Sequence, residues 1–419
     1  MKKIFKMSVM VGLVVLWASL ALATNGDNLI GVGPISRSMG GVGIAAPQDA
    51  ISAVFSNPAA MCFGPYCPAS EFNFAGTLFM PKVDATVNLG GQSIKANSAD
   101  NVYTIPAIGI STPITKTMPL WRFGLAAYGV SGLGVDYRNT SLDQQKYANF
   151  GGFPLVAGYY TQLQIMKFAP AIAFEPNNQI SFGLAAHIDY ASLDLGSGSS
   201  TSYAFGAQLG VLYKPLDQLS LGATYVTPQK NTFDRVADFN GDGVRDSLAL
   251  EAPQQAGIGI AYDILPNKLL VELDGKWINW ANAAGYKDFD WEDQWVFAIG
   301  VQYKPIDKLS LRAGYNYTNN PVKQHNGFVG TNPVQVQGKF MPAYYYETFR
   351  TIGFPAVTKN HITMGLGYQF TKSFSADLGF TYGFSESITE SGTALNGQPV
   401  TLNSNLTEMS LEFGLTWRF

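Results

Sequence analysis

From Met409 to Phe419 apolar and polar residues alternate without a break, with Met409, Leu411, Phe413, Leu415, Trp417 and Phe419 on one parity and Ser410, Glu412, Gly414, Thr416 and Arg418 on the other. A strand shows successive side chains to opposite faces, and about ten such residues, tilted, cross the hydrocarbon core of a bilayer. The same period recurs upstream. Trp295, Phe297, Ile299, Val301 and Tyr303 share one face, as do Leu309, Leu311, Ala313, Tyr315 and Tyr317. Ile362, Met364, Leu366, Tyr368 and Phe370 repeat it, and so do Phe374, Ala376, Leu378, Phe380, Tyr382 and Phe384. The opposite positions carry Gly, Ala, Ser, Thr, Gln, Asn, Asp and Arg. Between Glu71 and the carboxy-terminus about fourteen segments alternate in this way, an even number as antiparallel closure requires. Past residue 23 no apolar run approaches the roughly 18 residues of a helical span. A chain that enters a membrane without helices must pair all its backbone amides in a closed sheet. The expected fold is therefore all-β: a transmembrane antiparallel β-barrel of about fourteen strands.

The connections alternate in length. Short turns lie at Glu175-Pro-Asn-Asn178, Lys214-Pro-Leu-Asp217, Leu265-Pro-Asn-Lys268, Lys304-Pro-Ile-Asp307 and Thr371-Lys-Ser373. Longer polar loops fall near 84–100, 134–160, 229–252, 281–293, 320–358 and 388–405. Barrels of the outer membrane turn tightly on the periplasmic side and loop widely outside, which orients the chain. Tyr213-Lys-Pro-Leu-Asp-Gln-Leu-Ser-Leu221 and Tyr303-Lys-Pro-Ile-Asp-Lys-Leu-Ser-Leu311 read as one hairpin design used twice, with Pro and Asp as turn chemistry. Tyr213, Trp277, Trp280, Tyr303 and Trp417 suit aromatic girdles at the two interfaces.

The amino-terminus places the chain in the export pathway. Lys2, Lys3 and Lys6 precede an apolar run from Val9 to Leu20, and Ala21-Leu-Ala23 offers the small residues of a leader cleavage site, so 1–23 reads as a signal peptide. Charged residues are 14% of the chain, and the net charge of -3 comes without any basic cluster, which argues against a nucleic-acid partner. Two cysteines, Cys62 and Cys67, flank Gly64-Pro65, and in an oxidising compartment they are expected to form a disulfide.

Residues 24–68 do not alternate. They form a Gly- and Ala-rich run with short helical stretches that also carries Leu29, Ile30, Val42, Ile44, Ile51, Val54 and Phe55, more apolar surface than a free tail would expose. A barrel of about fourteen strands has a lumen too wide for its own side chains to fill. This segment is expected to fold inside it as a plug, or hatch, ahead of a barrel at 69–419.

Arg37-Ser-Met-Gly-Gly-Val-Gly43, Gln48-Asp-Ala50 and Asn57-Pro-Ala59 resemble the hatch of the FadL/TodX outer-membrane channels. The resemblance extends to Gln162-Leu-Gln164, Ala169-Pro-Ala171, Trp277-Ile-Asn-Trp280 and the terminal Phe419, and so covers the mature chain. It implies a monomeric barrel of the outer membrane that takes up fatty acids or aromatic hydrocarbons. Cargo would be caught by the outer loops, held in an apolar lumenal pocket, and released sideways into lipid where the third strand kinks. It further implies that Asn57, Pro58 and Ala59 act at the gate and lie against that kink. The kink itself is expected among Gly129, Gly132 and Gly134. An acyl chain gains about 0.8 kcal/mol per buried methylene. A carboxylate head would want a cation, for which Arg122, Lys167, Arg312, Lys339 and Arg350 are candidates by residue type alone.

One further motif stands apart. Asp238, Asn240, Asp242, Val244 (by its carbonyl) and Asp246 follow the spacing of an EF-hand-like loop with Gly243 at its sixth position, a candidate structural calcium site. Ala249 stands where the closing Glu would be, and an Asx-rich turn reads equally well. No cofactor is otherwise required. His187, His325 and His361 are scattered and no nucleophile motif is present, so an enzyme is not expected. The alternative functions are a general porin, with an open and charged constriction, and a purely structural barrel.

Overall fold

The computed structural model describes residues 24–64, 67, 69–99, 102–115, 118–143 and 154–419; the signal-peptide reading of 1–23 lies outside them. Fourteen strands form the wall. They are β1 (Glu71–Phe79), β2 (Tyr103–Thr115), β3 (Met118–Asp136), β4 (Tyr160–Asn177), β5 (Ile180–Asp194), β6 (Ser199–Leu216), β7 (Leu219–Val226), β8 (Gln255–Leu265), β9 (Leu269–Ile278), β10 (Gln294–Ile306), β11 (Leu309–Thr318), β12 (Asn360–Thr371), β13 (Phe374–Thr393) and β14 (Pro399–Arg418). Each pairs antiparallel with the next, and β14 pairs back onto β1 from Ser410↔Phe79 to Arg418↔Glu71, which closes the belt. The outward parity is the lipid face: Trp295, Phe297, Tyr315, Met364, Leu378, Leu411 and Trp417 are all exposed. Met409 departs from the expected pattern, buried in a cluster with Phe79 and Leu29.

Several expected loops are strands. Lys82–Leu89 pairs with Gln92–Asn97, Gln229–Ala237 with Asp246–Ala252, and 388–405 continues the β13–β14 hairpin beyond the membrane. Lys82, Asn88, Lys95, Lys230, Asp234 and Thr389 face outside water, while Val400, Leu402, Leu406 and Ile388 face an apolar core inside the outer half of the barrel, with Asn231, Glu390 and Ser404 also turned inward. Trp280 corrects the girdle reading. It starts a short 3-10 turn, is fully buried, and packs with Tyr286 and Trp291 at ring-centroid distances of 4.4 and 5.1 Å. Its indole donates to Gln294 Oε1 at 2.8 Å, a partner inside the protein.

The amino-terminal segment lies inside the lower lumen. It begins with a tiny hairpin (Thr24–Asn25 against Asn28–Leu29), continues through α1 (Gly33–Ser38) and α2 (Ala50–Ser56), and ends in a 3-10 turn, Pro58–Cys62. Irregular backbone leaves amides without sheet partners, and the wall supplies acceptors. Asp274 Oδ2 accepts from Gly43 and Ile44 N–H at 3.0 and 3.2 Å. Glu272 Oε1 accepts from Ala45 and Ala46 at 2.7 and 3.0 Å. Glu71 and Asn73 accept from the first amide of α2 at 3.0 Å. Arg37, fully buried, donates to Glu412 at 2.8 Å and to Ser410 at 2.7 Å. Inward-facing glycines let the hatch touch the wall: a Cβ on Gly314 would meet Gly40 N at 2.2 Å, and one on Gly183 would meet Ala59 N at 2.1 Å.

Candidate functional site

The wall is broken in one region of β3. Its ladder with β2 runs from Thr115↔Met118 up to Ala107↔Tyr128 and stops there, while Tyr103 to Pro106 stay paired with β1. Its ladder with β4 slips by one residue between Gly129↔Met166 and Ser131↔Ile165, leaving Val130 as a bulge. On the edge that β2 has left, Ser131 pairs with Asn28 of the hatch. The strand thus turns into the lumen and leaves an opening between β2 and β3. Phe79, Tyr103, Ile105, Pro106, Gly129, Ser131, Gly132, Ile165 and Met166 are among the residues that line it, around a volume of about 210 Å³.

The three candidate glycines have different surroundings. A Cβ on Gly129 would press on Ile105 at 2.4 Å, so β3 could not come so close to β2 at the break with a side chain there. A Cβ on Gly132 would find nothing within 4 Å and would point into open space. Gly134 lies beyond the opening, its Cβ position 2.3 Å from the Thr161 carbonyl of β4.

Asn57, Pro58 and Ala59 are not at this break, contrary to the expectation. They dock at the periplasmic end on β5 and β6, where Gly183 and Gly210 leave room for them. Asn57 Nδ2 donates to the carbonyls of Ile44 (2.8 Å) and Val211 (3.1 Å), its Oδ1 accepts from Ala59 N–H, and Ser181 Oγ donates to the Ala59 carbonyl at 2.7 Å. Cys62 and Cys67 below them are free thiols, Cys62 buried and Cys67 Sγ donating to the Met61 carbonyl at 3.0 Å.

Behind the bulge lies a second, smaller cavity of about 80 Å³. Tyr128, Val130, Asn25, Asn28, Leu29, Phe55, Lys167, His187 and Lys276 are on its walls. Lys167 pairs with Asp189 at 3.2 Å, lies 3.3 Å from His187 Nδ1, and donates to Gln229. Among the other candidate cations, Arg312 is held by Asp377 and Gln302, both at 2.7 Å; Arg122 donates to the Ala69 carbonyl; Lys339 pairs with Asp246 at 2.8 Å. Of the five, Lys167 lines this cavity and Arg350 lines another in the outer loops.

Arg350 belongs to the outer loops. There Leu248, Leu250, Tyr286, Phe289, Trp291, Phe349 and Phe354 line a small aromatic pocket of about 10 Å³. Sequence reasoning missed this group because its members sit in segments without periodicity, although their density of Trp, Tyr and Phe was a signal. Beside it His325, Glu347 and Glu390 bring three ligand atoms within 4.8 Å of one another, a set that could coordinate a metal ion. Arg350 already reaches into that space, with Nη1 3.1 Å from Glu390 Oε1, 3.0 Å from His325 Nδ1, and paired with Glu347. A metal would have to displace it.

A hydrogen bond that the His325 ring donates to Glu347, opposed by burial and by Arg350 and helped by Asp290, holds the His325 imidazolium above its ordinary value of 6.5. A raised value means that protonation favours the folded loop, so this contribution is complete below pH 6.5 and lost as the pH rises through the raised value. Limited proteolysis across 326–358 is therefore expected to quicken on passing from acid to alkaline medium, and His325→Gln to remove the dependence.

The candidate calcium loop is folded by its own side chains. Asp238 accepts from the amides of Gly241 (2.7 Å), Asp242 (3.2 Å) and Gly243 (2.8 Å), and Asp242 Oδ1 accepts from Val244 at 2.8 Å. Gly241 and Gly243 take the left-handed φ of +75° and +84° that this winding needs. Asn240 donates to Asp242, and Asp246 is shared between Lys339 and the Phe239 amide.

A closed fourteen-strand barrel with a lipid-facing belt, an occupied lumen and a breach in its side defines a plugged outer-membrane channel. The family model described as outer membrane protein transport protein (OMPP1/FadL/TodX) matches residues 28–201 and 193–329, and the chain belongs to this family of outer-membrane transport proteins. Outer membrane protein P1 of Haemophilus influenzae is 24% identical over 400 residues, covering 81% of this chain and 82% of that protein. The fold is that of the toluene transporter TodX of Pseudomonas putida (TM-score 0.64, 20% identity, 94% of this chain and 100% of that one). It is equally that of a Pseudomonas aeruginosa FadL homologue (TM-score 0.68, 15% identity, 94% and 99%). A transport family agrees with the expectation of a non-enzymatic protein.

Proposed function

We propose that this channel takes up hydrophobic compounds, long-chain fatty acids or aromatic hydrocarbons, by lumenal binding and lateral release into the outer membrane. The observation that carries the reading is the opening between β2 and β3, lined by apolar side chains and separated from a lumenal cavity by the Val130 bulge. An apolar solute gains nothing from an aqueous exit below the hatch and gains the whole of its transfer free energy by leaving sideways into lipid. Loop aromatics around Phe289 and Phe349 would collect cargo, and Gly129 and Gly132 would shape the exit. Gly134 would serve only to let β3 and β4 approach. Asn57, Pro58 and Ala59 would act as the lower seal of the hatch. The protein would work as a monomer among lipid and lipopolysaccharide, after loss of 1–23, with no nucleic-acid partner.

The test is uptake of labelled oleate and labelled toluene by cells lacking their own hydrophobic channel. Faster uptake of either with this protein supports the reading and names the cargo class. No increase in either, with the barrel verified in the membrane, rejects it in favour of a porin or structural role.

Two structural roles go with this reading. Calcium would bind Asp238, Asn240, Asp242 and the Val244 carbonyl, with Asp246 turning from Lys339 to the ion. Such a site lacks a closing Glu, so calorimetry should find a dissociation constant of about 10⁻⁴–10⁻³ M, abolished by Asp238→Asn. Heat-free titration at that concentration would rule calcium out. Oxidation would join Cys62 to Cys67, read as resistance of both to alkylation before reduction.

A further inference from the structure

Thr24 directly follows Ala21-Leu-Ala23, and its backbone nitrogen is held inside the barrel rather than in solvent. Glu408 of β14 grips it with both oxygens: Thr24 N donates to Oε2 at 2.9 Å and Thr24 Oγ1 to Oε1 at 2.8 Å. Thr24 is 3% exposed and Glu408 2%. A carboxylate so buried needs a positive partner or several N–H donors. The wall gives Arg37 to Glu412, Arg418 to Glu71 and Lys167 to Asp189, and pairs of hatch amides to Glu272 and Asp274, whereas Glu408 has one backbone N–H and one hydroxyl. Among the described residues no lysine or arginine pairs with Glu408, and its neighbour His361 stands off at 3.9 Å.

We propose that removal of the leader at Ala23–Thr24 creates the missing cation: the new α-ammonium of Thr24 forms a buried ion pair with Glu408 and latches the hairpin behind the lateral opening. The inference rests on reading 1–23 as a cleaved leader. A peptidase of the export pathway adds water across the Ala23–Thr24 bond. The oxygen goes to the Ala23 carboxylate and the two protons to the Thr24 nitrogen, which becomes a charged triple donor where an amide had one proton.

What the pair holds is a junction. Leu29 of the same hairpin lines the inner cavity and clusters with Phe79, Tyr103 and Ile105 of the opening, and Asn28 pairs with Ser131 where β3 breaks. On its other side Asp27 accepts from the Tyr286 hydroxyl, and a Cβ on Gly26 would touch Trp280 at 3.0 Å, both in the outer aromatic group. The hairpin therefore stands between cargo-binding loops, lumenal cavity and exit, and its covalent end is pinned by Glu408.

The test uses protein purified from outer membranes, its intact mass, and an amine-acylating ester at neutral pH. A free α-amine, with its lower pKa, reacts faster than a lysine such as the exposed Lys372. The expected chain starts at Thr24, with its amine labelling about tenfold more slowly than a free terminus because reaction must wait for local opening. Glu408→Gln, and a chain with Gly-Ser inserted between Ala23 and Thr24, should both restore fast labelling, and the insertion should also raise ion leak. A chain that retains 1–23 rejects the leader reading and the latch with it. A chain that starts at Thr24 but labels faster than Lys372 overturns the latch alone, even if neither variant assembles.

Discussion

Uptake of labelled hydrophobe falls to about a tenth when Gly132 is replaced by Trp, while the barrel stays folded, if flux is set by the width of the exit. Gly132 is the position for this test because its Cβ meets no atom within 4 Å, so an indole there projects into the opening without straining the wall. Gly129→Trp would be ambiguous, since any Cβ at Gly129 collides with Ile105. Leu378→Trp, on the lipid face of β13, is the control for a bulky aromatic added to the belt. Heat-modifiable migration and liposome insertion verify assembly. Equal uptake by Gly132→Trp and the parent would show that cargo leaves elsewhere, and lateral release would be abandoned.

Deleting 25–60 should raise single-channel conductance by more than about tenfold, because a wall of fourteen strands cannot fill its own lumen. The geometry adds a sign. Arg37, Asp27 and Asp49 leave with the hatch, and the wall keeps the acids Glu71, Asp189, Glu272, Asp274, Asp377, Glu408 and Glu412 against the cations Arg122, Lys167, Lys276, Arg312 and Arg418, an excess of negative charge facing new water. The emptied pore should therefore prefer cations, read as a reversal potential under a salt gradient. A general porin would conduct before the deletion as well as after it. Unchanged conductance would mean that the segment does not obstruct the lumen.

Strand number and lipid face were legible because period-two alternation is a one-dimensional signal, and in β10 to β14 the parity of Trp295, Leu311, Met364 and Leu378 alone tells lipid from lumen. The hatch was legible by its failure to alternate. Other features depend on contacts between distant residues. Trp277-Ile-Asn-Trp280 gave no sign that Trp277 would bond Asp293 near the surface while Trp280 would be swallowed by Tyr286 and Trp291. The break in β3 was narrowed to three glycines, but the folded contacts, with Gly129 and Gly132 lining the opening and Gly134 packed on the Thr161 carbonyl, separate them. The position of Asn57-Pro58-Ala59 against β5 and β6 required Gly183 and Gly210, glycines far along the chain whose missing side chains leave room for them. The ion-pair network at Arg350 unites Asp290, His325, Glu347 and Glu390, which no local motif joins.

The joint between β1 and β14 is where the first and last strands of the barrel meet, and the hatch crosses it from within. Arg37 reaches Glu412 and Ser410 on β14, while Glu71 and Asn73 on β1 hold the first amides of α2. Removing either set would leave charged or amide groups unpaired beside the joint. Assembly of this protein is thus a packing problem as much as a zipping one. The belt can fasten over an empty lumen, but with the hatch present Arg37 meets Glu412 and Ala50 meets Glu71 only where the two strands come together, so hatch and belt are expected to reach their final register in one step.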